Sequence, residues 1–372
     1  VSRGFSVYLD AVRFAAAMLV LFSHFAYPRF SDGRWLWVRE LNLGSDAVVM
    51  FFVLSGLVIS HVVQNTPGRP GKFAFDRVTR LLSVALPALV FGFVLDRLGT
   101  QIAPQVYPGW VYAYTPLWEI LLRGLTFSNE WAGLATRLGS NGPFWSLSYE
   151  AAYYALFGIA IYTQGARRIV LLALGGWVFG LNILLLLPAW LLGVAVHRFI
   201  LSDRVPSGQV AAAFAILPLL AYVIALYLGV PDLLRAPIAA YDAVLRFSDE
   251  FIWNNLLAVL MALHLLGMAG ILRQRQSMRH ATQIRWLAGG SFSLYLVHYP
   301  VLQMLAAFGF ASATLLEDAL LIGMTLAICY GFAALFERRL AAVRQALLRL
   351  RPKAGLSADT GFKQASAPPS RS

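Results

Sequence analysis

Of 372 residues, 59% are hydrophobic and only 13% are charged, against roughly 25% charged in a soluble domain, so a water-facing exterior is excluded and lipid is the solvent for most of the surface. A net charge of +12 would suggest nucleic acid in a soluble protein, but here the basic residues fall in short clusters between apolar stretches and read as topology signals, so no nucleic-acid partner is expected. The single cysteine, Cys329, lies inside an apolar stretch and excludes a disulfide framework or a thiolate metal site.

The first apolar run continues past twenty residues with no small-residue cleavage site. It reads as a retained helix rather than a signal peptide, and the absent initiator Met reads as trimming. Crossing a hydrocarbon core takes about 20 helical residues. Windows of that length fall at roughly 6–27, 44–64, 81–98, 143–163, 169–185, 186–201, 208–228, 251–271, 286–308 and 318–337. The expected fold is all-α: a polytopic integral membrane protein of about ten transmembrane helices. A stretch at 116–127, interrupted by Glu119 and Arg123, is expected to lie at the interface, because a span there would invert every later loop. With ten spans and both termini cytoplasmic, Arg69, Lys72, Arg77 and Arg80, then Arg167 and Arg168, then Arg198 and Arg204, then Arg273, Arg275, Arg279 and Arg285 all face the cytoplasm. Residues 1–340 form the transmembrane domain and 341–372 a basic cytoplasmic tail, largely disordered, whose Pro, Gly, Ser and Ala from about 352 on cannot bury enough apolar surface to fold. No inverted repeat of the transporter kind is evident.

An ionisable side chain at mid-membrane costs several kcal/mol unless paired or hydrated, which makes it a site candidate by default. The first span holds Asp10, Arg13 and His24. Asp10 and Arg13 are i,i+3 neighbours that suit an ion pair. Arg13 and His24 share a face, about 16 Å apart along the axis, and such a polar stripe has to line something wet or bind something polar. Asp46 opens the second span at a depth near that of His24, and Phe51, Ser55 and Gly56 follow at mid-span, where small residues also permit close helix packing. Arg77 and Arg80 sit three apart at a helix start and can point at one phosphate-bearing ligand, or serve as plain topology anchors. Trp145, Ser146, Ser148 and Glu150 open the fourth span from the outer side, so that His24 and Glu150 can form a base and its orienting carboxylate. Tyr295 and His298 are one turn apart in a later span, and His298 is also readable as structural. The other histidines show no carboxylate or cysteine at ligand spacing, and no metal is expected.

The chain carries no P-loop, no Gly-x-Ser-x-Gly elbow, no His-Glu-x-x-His and no histidine followed five positions later by aspartate. Five short motifs in order, Leu9-Asp10-x-x-Arg13 with His24 eleven residues on, Phe51-Phe52-x-x-Ser55-Gly56, Arg77-x-x-Arg80, Trp145-Ser146-Leu147-Ser148-x-Glu150 and Ser293-x-Tyr295-Leu296-x-His298, together resemble membrane acyltransferase family 3. Members of that family O-acylate sugars of lipopolysaccharide, exopolysaccharide, glucans and some antibiotics. Two departures are local: Ala151 stands where the family usually has a second acidic residue, and Phe14 where it tends to have glycine. The resemblance implies acyl transfer, with acetyl the expected group, from cytoplasmic acyl-CoA to a carbohydrate hydroxyl on or across the membrane, in a bacterial inner membrane. It implies no permanently bound cofactor, acyl-CoA being a co-substrate, and membrane lipid and a glycan acceptor as partners, with homo-oligomerisation open. His24, Glu150 and Arg13 would be catalytic, with Glu150 or Asp46 holding the second ring nitrogen of His24. Arg77, Arg80, Phe51, Ser55 and Gly56 would bind the donor, with Asp10, Asp46, Trp145, Ser146, Ser148, Tyr295 and His298 in support. Direct transfer and an acyl-histidine relay are both open. The rival class is a transporter or flippase of a lipid-linked sugar that uses the same stripe as a path; a receptor is a weaker third.

Overall fold

The computed structural model describes residues 2–65, 67–107, 115–276, 278–310 and 312–350. Among these the regular structure is entirely helical, with no strand. The principal helices are α1 (Arg3–Phe25), α2 (Leu43–Asn65), α3 (Pro70–Ile102), α4 (Leu117–Leu125), α5 (Trp145–Tyr162), α6 (Gly165–Phe179), α7 (Leu187–Leu201), α8 (Gly208–Tyr227), α9 (Phe251–Ile271), α10 (Ala281–Ala288), α11 (Ser291–Ala307), α12 (Leu315–Leu335) and α13 (Leu340–Arg349). Several starts have a local cause. Ser2 caps α1 by accepting from the Phe5 amide, Pro70 opens α3 where its missing N–H costs nothing, and Thr314 with Glu317 forms a capping box ahead of α12.

Among the described residues, seven stretches are long and apolar enough to cross a membrane: α1, α2, α3, the run Leu181–Leu201 that contains α7, α8, α9, and the run Leu315–Arg349 that begins with α12. The remaining three expected spans correspond to α5, α6 and α11. Of these, α6 and α11 have 15 and 17 residues, and α5 carries Ser146, Ser148 and Glu150 within its 18. Helix α4 has nine residues, about 14 Å at 1.5 Å per residue, well short of the ~30 Å of a hydrocarbon core. Apolar side chains crowd the outward faces, as with Ile169 and Trp177 of α6, 71% and 80% exposed, which suits contact with lipid.

One break is additional to those expected. The helix break expected between 185 and 186 is present at Leu186, where a short helix Leu181–Leu185 ends, and a further break falls at Gly180, whose φ of 90° ends α6. That region of backbone space is open to glycine at little cost, whereas the unbroken leucine run that follows offers hydropathy no place to cut. Helix α13 occupies the start of the expected tail and packs along α3, where the Arg344 Nε–H donates to Thr79 Oγ1 at 2.9 Å; residues 351–372 lie outside the described residues.

The interior is organised around α11. Every residue from Ser293 to Ala307 is buried, packed against α1, α3 and α12. Beside it, α2 and α7 cross at very short range. A Cβ on Gly56 would stand 2.0 Å from the Trp190 carbonyl oxygen, and one on Gly193 would stand 1.9 Å from that of Val53. Gly56 is therefore a packing residue, with small side chains letting two backbones meet where lipid supplies no hydrophobic drive for association.

Candidate active site

Two cavities lie on either side of Tyr295, which with Val48 lines both. The first, about 160 Å³, is walled by α1, α2, α3, α5 and α11 and gathers Arg13, Phe51, Ser55, Arg77, Arg80, Ser146 and Glu150. Periodicity explains the grouping: Arg77 and Arg80 are one turn apart on α3, and Ser146 and Glu150 are i,i+4 on α5.

Glu150 is held within this first cavity. Ser55 Oγ–H donates to its Oε1 at 2.7 Å, the Tyr154 hydroxyl donates to the same oxygen, and Trp190 Nε1–H donates to Ser55 Oγ at 3.2 Å. Arg13 donates to the Ala288 carbonyl at 2.8 Å and lies 3.9 Å from Asp10, which itself stays outside the cavity wall. Arg80 is paired with Glu337 at 3.2 Å, and the other oxygen of Glu337 accepts the Ser293 amide at 2.8 Å. The carboxylate fixes the guanidinium from α3 against α11.

The second cavity, about 390 Å³, is lined by His24, Tyr27, Arg39, Trp145, Tyr299 and the loops around 129–143 and 246–249. His24 occupies the last turn of α1, where it meets α11. Its Nδ1 lies 3.0 Å from His298 Nε2 and 3.0 Å from the Val20 carbonyl, and His298 Nδ1 lies 2.8 Å from the Leu294 carbonyl. Only an N–H can face a carbonyl, so assigning protons from partners places one on His298 Nδ1 and leaves its Nε2 as the acceptor. His24 then carries its proton on Nδ1, and its Nε2 keeps the lone pair of a base. The Tyr299 ring lies against the imidazole, centroids 4.8 Å apart.

The partner of His24 therefore differs from the one expected. Neither Glu150 nor Asp46 holds its ring; His298 does. Glu150 is turned toward Ser55 and the first cavity. Asp46 accepts Trp253 Nε1–H and the Tyr222 hydroxyl, each at 2.8 Å, and ties α2 to α8 and α9. Depth along a span, which is what the sequence supplied for these carboxylates, does not say which face of a helix meets which neighbour.

The remaining motif residues divide cleanly. Tyr295 is hydrogen-bonded to Ser146 Oγ at 2.7 Å and to the Pro143 carbonyl at 3.0 Å, with Phe51 edge-on to its ring. These contacts hold Tyr295 between the cavities. Trp145 stacks on Phe247 with centroids 4.4 Å apart. Ser148 is buried and donates to the Phe127 carbonyl at 2.5 Å, outside both cavities. Residues absent from the sequence reading are Tyr154, Glu337, Tyr299, Glu130 and Arg246. Tyr154 was within reach of it, being i,i+4 from Glu150; Glu337 closed the last expected span with nothing to mark it; the others depend on chain crossings that leave no periodic signal.

Among the described residues no group of three or more His, Cys, Asp or Glu side chains is arranged to hold a metal ion. One loop carboxyl stands out: burial pushes Glu130 up to about 7, against the opposing pull of Arg246, 3.4 Å away.

Fold and site define an all-helical protein, with helices fit to cross a membrane, that encloses an arginine-lined cavity and a histidine-lined one side by side. The family model for the acyltransferase domain of acyltransferase family 3 matches residues 6–334, and the chain belongs to that family. It is similar to acyltransferase MdmB of Streptomyces mycarofaciens, 29% identical over 154 residues, which are 40% of this chain and 37% of that protein. The match thus spans little more than a third of the relative. No solved structure matches.

Proposed function

We propose that the protein is a membrane O-acyltransferase that takes an acyl group, acetyl in the first instance, from acyl-CoA on the side of Arg77 and Arg80 and places it on a carbohydrate hydroxyl held beside His24. The observation that carries this reading is the pair of cavities sharing Tyr295 as a wall, in a chain of this family. The first cavity suits the donor. Its Arg13, Arg77 and Arg80 offer charge-assisted bonds to anionic phosphates, and Phe51 and its apolar neighbours suit a thin pantetheine arm. The second suits the acceptor, being larger and polar.

In the reaction, Nε2 of His24 takes the proton of the acceptor hydroxyl as its oxygen attacks the thioester carbonyl. The tetrahedral centre collapses, the carbon–sulfur bond breaks, and the CoA thiolate leaves and recovers a proton from the imidazolium. His298 keeps the correct nitrogen of His24 forward, the task that a carboxylate performs in other histidine bases. Glu150, bonded to Ser55 and Tyr154, sets the electrostatics around Arg13 in the donor cavity. Membrane lipid surrounds the ten helices α1–α3, α5–α9, α11 and α12, all of which span in this reading, with both termini on the basic side; a bacterial inner membrane fits it.

The test is release of CoA from radiolabelled acetyl-CoA by purified protein in lipid, with a crude glycan acceptor present, for wild type and His24→Gln at equal folding. Turnover that vanishes in the variant supports the reading. A wild type that consumes no acyl-CoA of any chain length overturns it and leaves the polar stripe as a path for a lipid-linked sugar.

A further inference from the structure

On the wall of the second cavity stands an arginine that the sequence motifs leave out. Arg39 lies on the short helix Trp37–Glu40, in the connection from α1 to α2, and lines the cavity together with His24. Two contacts hold its guanidinium. Nη1–H donates to the Ser23 carbonyl at 3.1 Å, one residue from the base, and the Tyr27 ring centroid lies 3.6 Å from Cζ, a cation–π distance. The same Tyr27 ring stands 6.4 Å from that of His24, so guanidinium and imidazole share one aromatic neighbour. Of the arginine charges, that of Arg39 bears most on the His24 ring.

What Arg39 lacks is an internal counter-charge. Among the described residues no carboxylate pairs with it, whereas Arg246, another lining residue, faces Glu130 at 3.4 Å. The Nε and Nη2 atoms of Arg39 make no hydrogen bond among the described residues and, unlike the sealed Nε atoms of Arg13 and Arg246, keep accessible surface. A fixed cation with open N–H groups beside a base suits negative charge that exists only during a reaction. We infer that Arg39 is a catalytic residue that donates N–H bonds to the oxyanion of the tetrahedral intermediate formed beside His24. This role rests on the acyltransferase reading.

When the acceptor oxygen attacks, its proton goes to His24 Nε2, the new carbon–oxygen bond forms, and the carbonyl π pair moves onto the carbonyl oxygen. That oxygen then needs a donor. His24 does not supply one, because its N–H at Nδ1 is taken up by His298 Nε2 and the Val20 carbonyl. The Tyr295 hydroxyl is bonded to Ser146 and to the Pro143 carbonyl, and Arg13, Arg77 and Arg80 line the first cavity only. Arg39 is already on the acceptor side. Nε–H and Nη2–H lie on one edge of a planar guanidinium and can hold one oxygen as a fork. Since Ser23 and Tyr27 fix that edge before the reaction begins, little reorganisation is needed as the charge develops. On collapse the carbonyl reforms, the carbon–sulfur bond breaks, the CoA thiolate takes the proton from the imidazolium, and Arg39 is left as it began.

The experiment is steady-state transfer from acetyl-CoA to a crude glycan acceptor by protein in lipid nanodiscs, followed across pH for wild type, Arg39→Lys and Arg39→Ala. Arg39→Ala is expected to lose about 10²-fold or more in plateau kcat, with the KM for acetyl-CoA within about twofold of wild type. Arg39→Lys, which keeps the charge, is expected to recover part of the loss. Guanidinium ion at a non-denaturing concentration is expected to speed Arg39→Ala and to leave His24→Gln unchanged, a rescue that a purely structural tie does not give. A plateau kcat in Arg39→Ala within about threefold of wild type, with only the acid limb of the pH profile moved, overturns the inference and reduces Arg39 to a charge that biases the protonation of His24. A loss that neither lysine nor guanidinium recovers also overturns it and makes Arg39 a tie between the connection and α1. Either failure with an active wild type sinks this inference alone, whereas a wild type that consumes no acetyl-CoA sinks the acyltransferase reading and the inference with it.

Discussion

The two cavities are built in opposite ways. The first is made by regular helix faces, small and apolar in its walls, with three arginines around it; the second is larger, polar, and half made of loops. In the first, charges are anchored by internal partners, Glu150 by Ser55 and Tyr154 and Arg80 by Glu337. Buried side-chain atoms without a hydrogen-bond partner occur beside both, on Arg13 and Arg77 at the first and on Asn129, Glu130, Asn141 and Arg246 at the second. A donor that is always the same molecule suits a site fixed by helix register, and an acceptor that varies suits one carried by loops, which change with little consequence for the packed core.

The sharpest way to break the comparison is to remove the base that lines the second cavity. His24→Gln should lower acyl transfer about 10³-fold, within the range for loss of a general base, while leaving acyl-CoA affinity within about twofold of wild type. Arg77→Ala should act on the other cavity, raising the KM for acyl-CoA roughly tenfold or more, as expected for losing a charge-assisted bond to phosphate, with a smaller effect on kcat and a weaker dependence on salt. A steady-state series at two ionic strengths checks both.

A finer prediction concerns orientation. His298→Leu removes one of the two acceptors of His24 Nδ1–H, leaving the Val20 carbonyl, and should lower kcat about tenfold, whereas His298→Gln, whose side-chain oxygen can accept the same proton, should restore much of the loss; an equal loss in both variants would make His298 a packing residue only. On stability, Gly56→Ala places a methyl against the Trp190 carbonyl and should cost about 1–3 kcal/mol, read as a lower unfolding temperature in detergent with the KM for acyl-CoA of the surviving fold unchanged.

The smallest effect is a pH dependence in the loop wall. Glu130 is held up at about 7 by burial, against an ordinary 4.5. Between those values the folded state binds more protons than the unfolded one, so this segment gains stability as pH falls through about 7 and loses it as pH rises. Hydrogen exchange across 126–143, corrected for intrinsic rates, should slow severalfold, up to about tenfold, between about pH 8 and about pH 5.5, and Glu130→Gln should flatten the difference.

Much of the helical skeleton could be read from hydropathy because lipid imposes one length and one composition on each crossing segment. Where that constraint is uniform it also erases boundaries, which is why Gly180 went unnoticed inside a leucine-rich stretch. Motif residues were found singly because ionisable side chains are conspicuous in apolar runs, and helical spacing groups Ser146 with Glu150 and Arg77 with Arg80. Pairings between helices were not readable. His24 and His298 are 274 residues apart, and nothing in either stretch says that the two rings meet. Asp46 and Glu150 looked like partners for His24 by depth, yet rotation about the helix axis turns each to another neighbour. The loop residues Asn129, Glu130, Asn141 and Arg246 have no period at all; their grouping beside the second cavity is visible only in the fold.

The central claim, a donor entering from the arginine side and an acceptor held on the other, is tested most directly by sidedness. Protein reconstituted in one orientation in sealed vesicles is given radiolabelled acetyl-CoA on one face at a time, with a glycan acceptor present on both. CoA release only when donor is on the face of Arg77 and Arg80, with label recovered on acceptor from the opposite compartment, is the predicted result. Equal release from either face, or label confined to acceptor on the donor's own side, would contradict the two-cavity account.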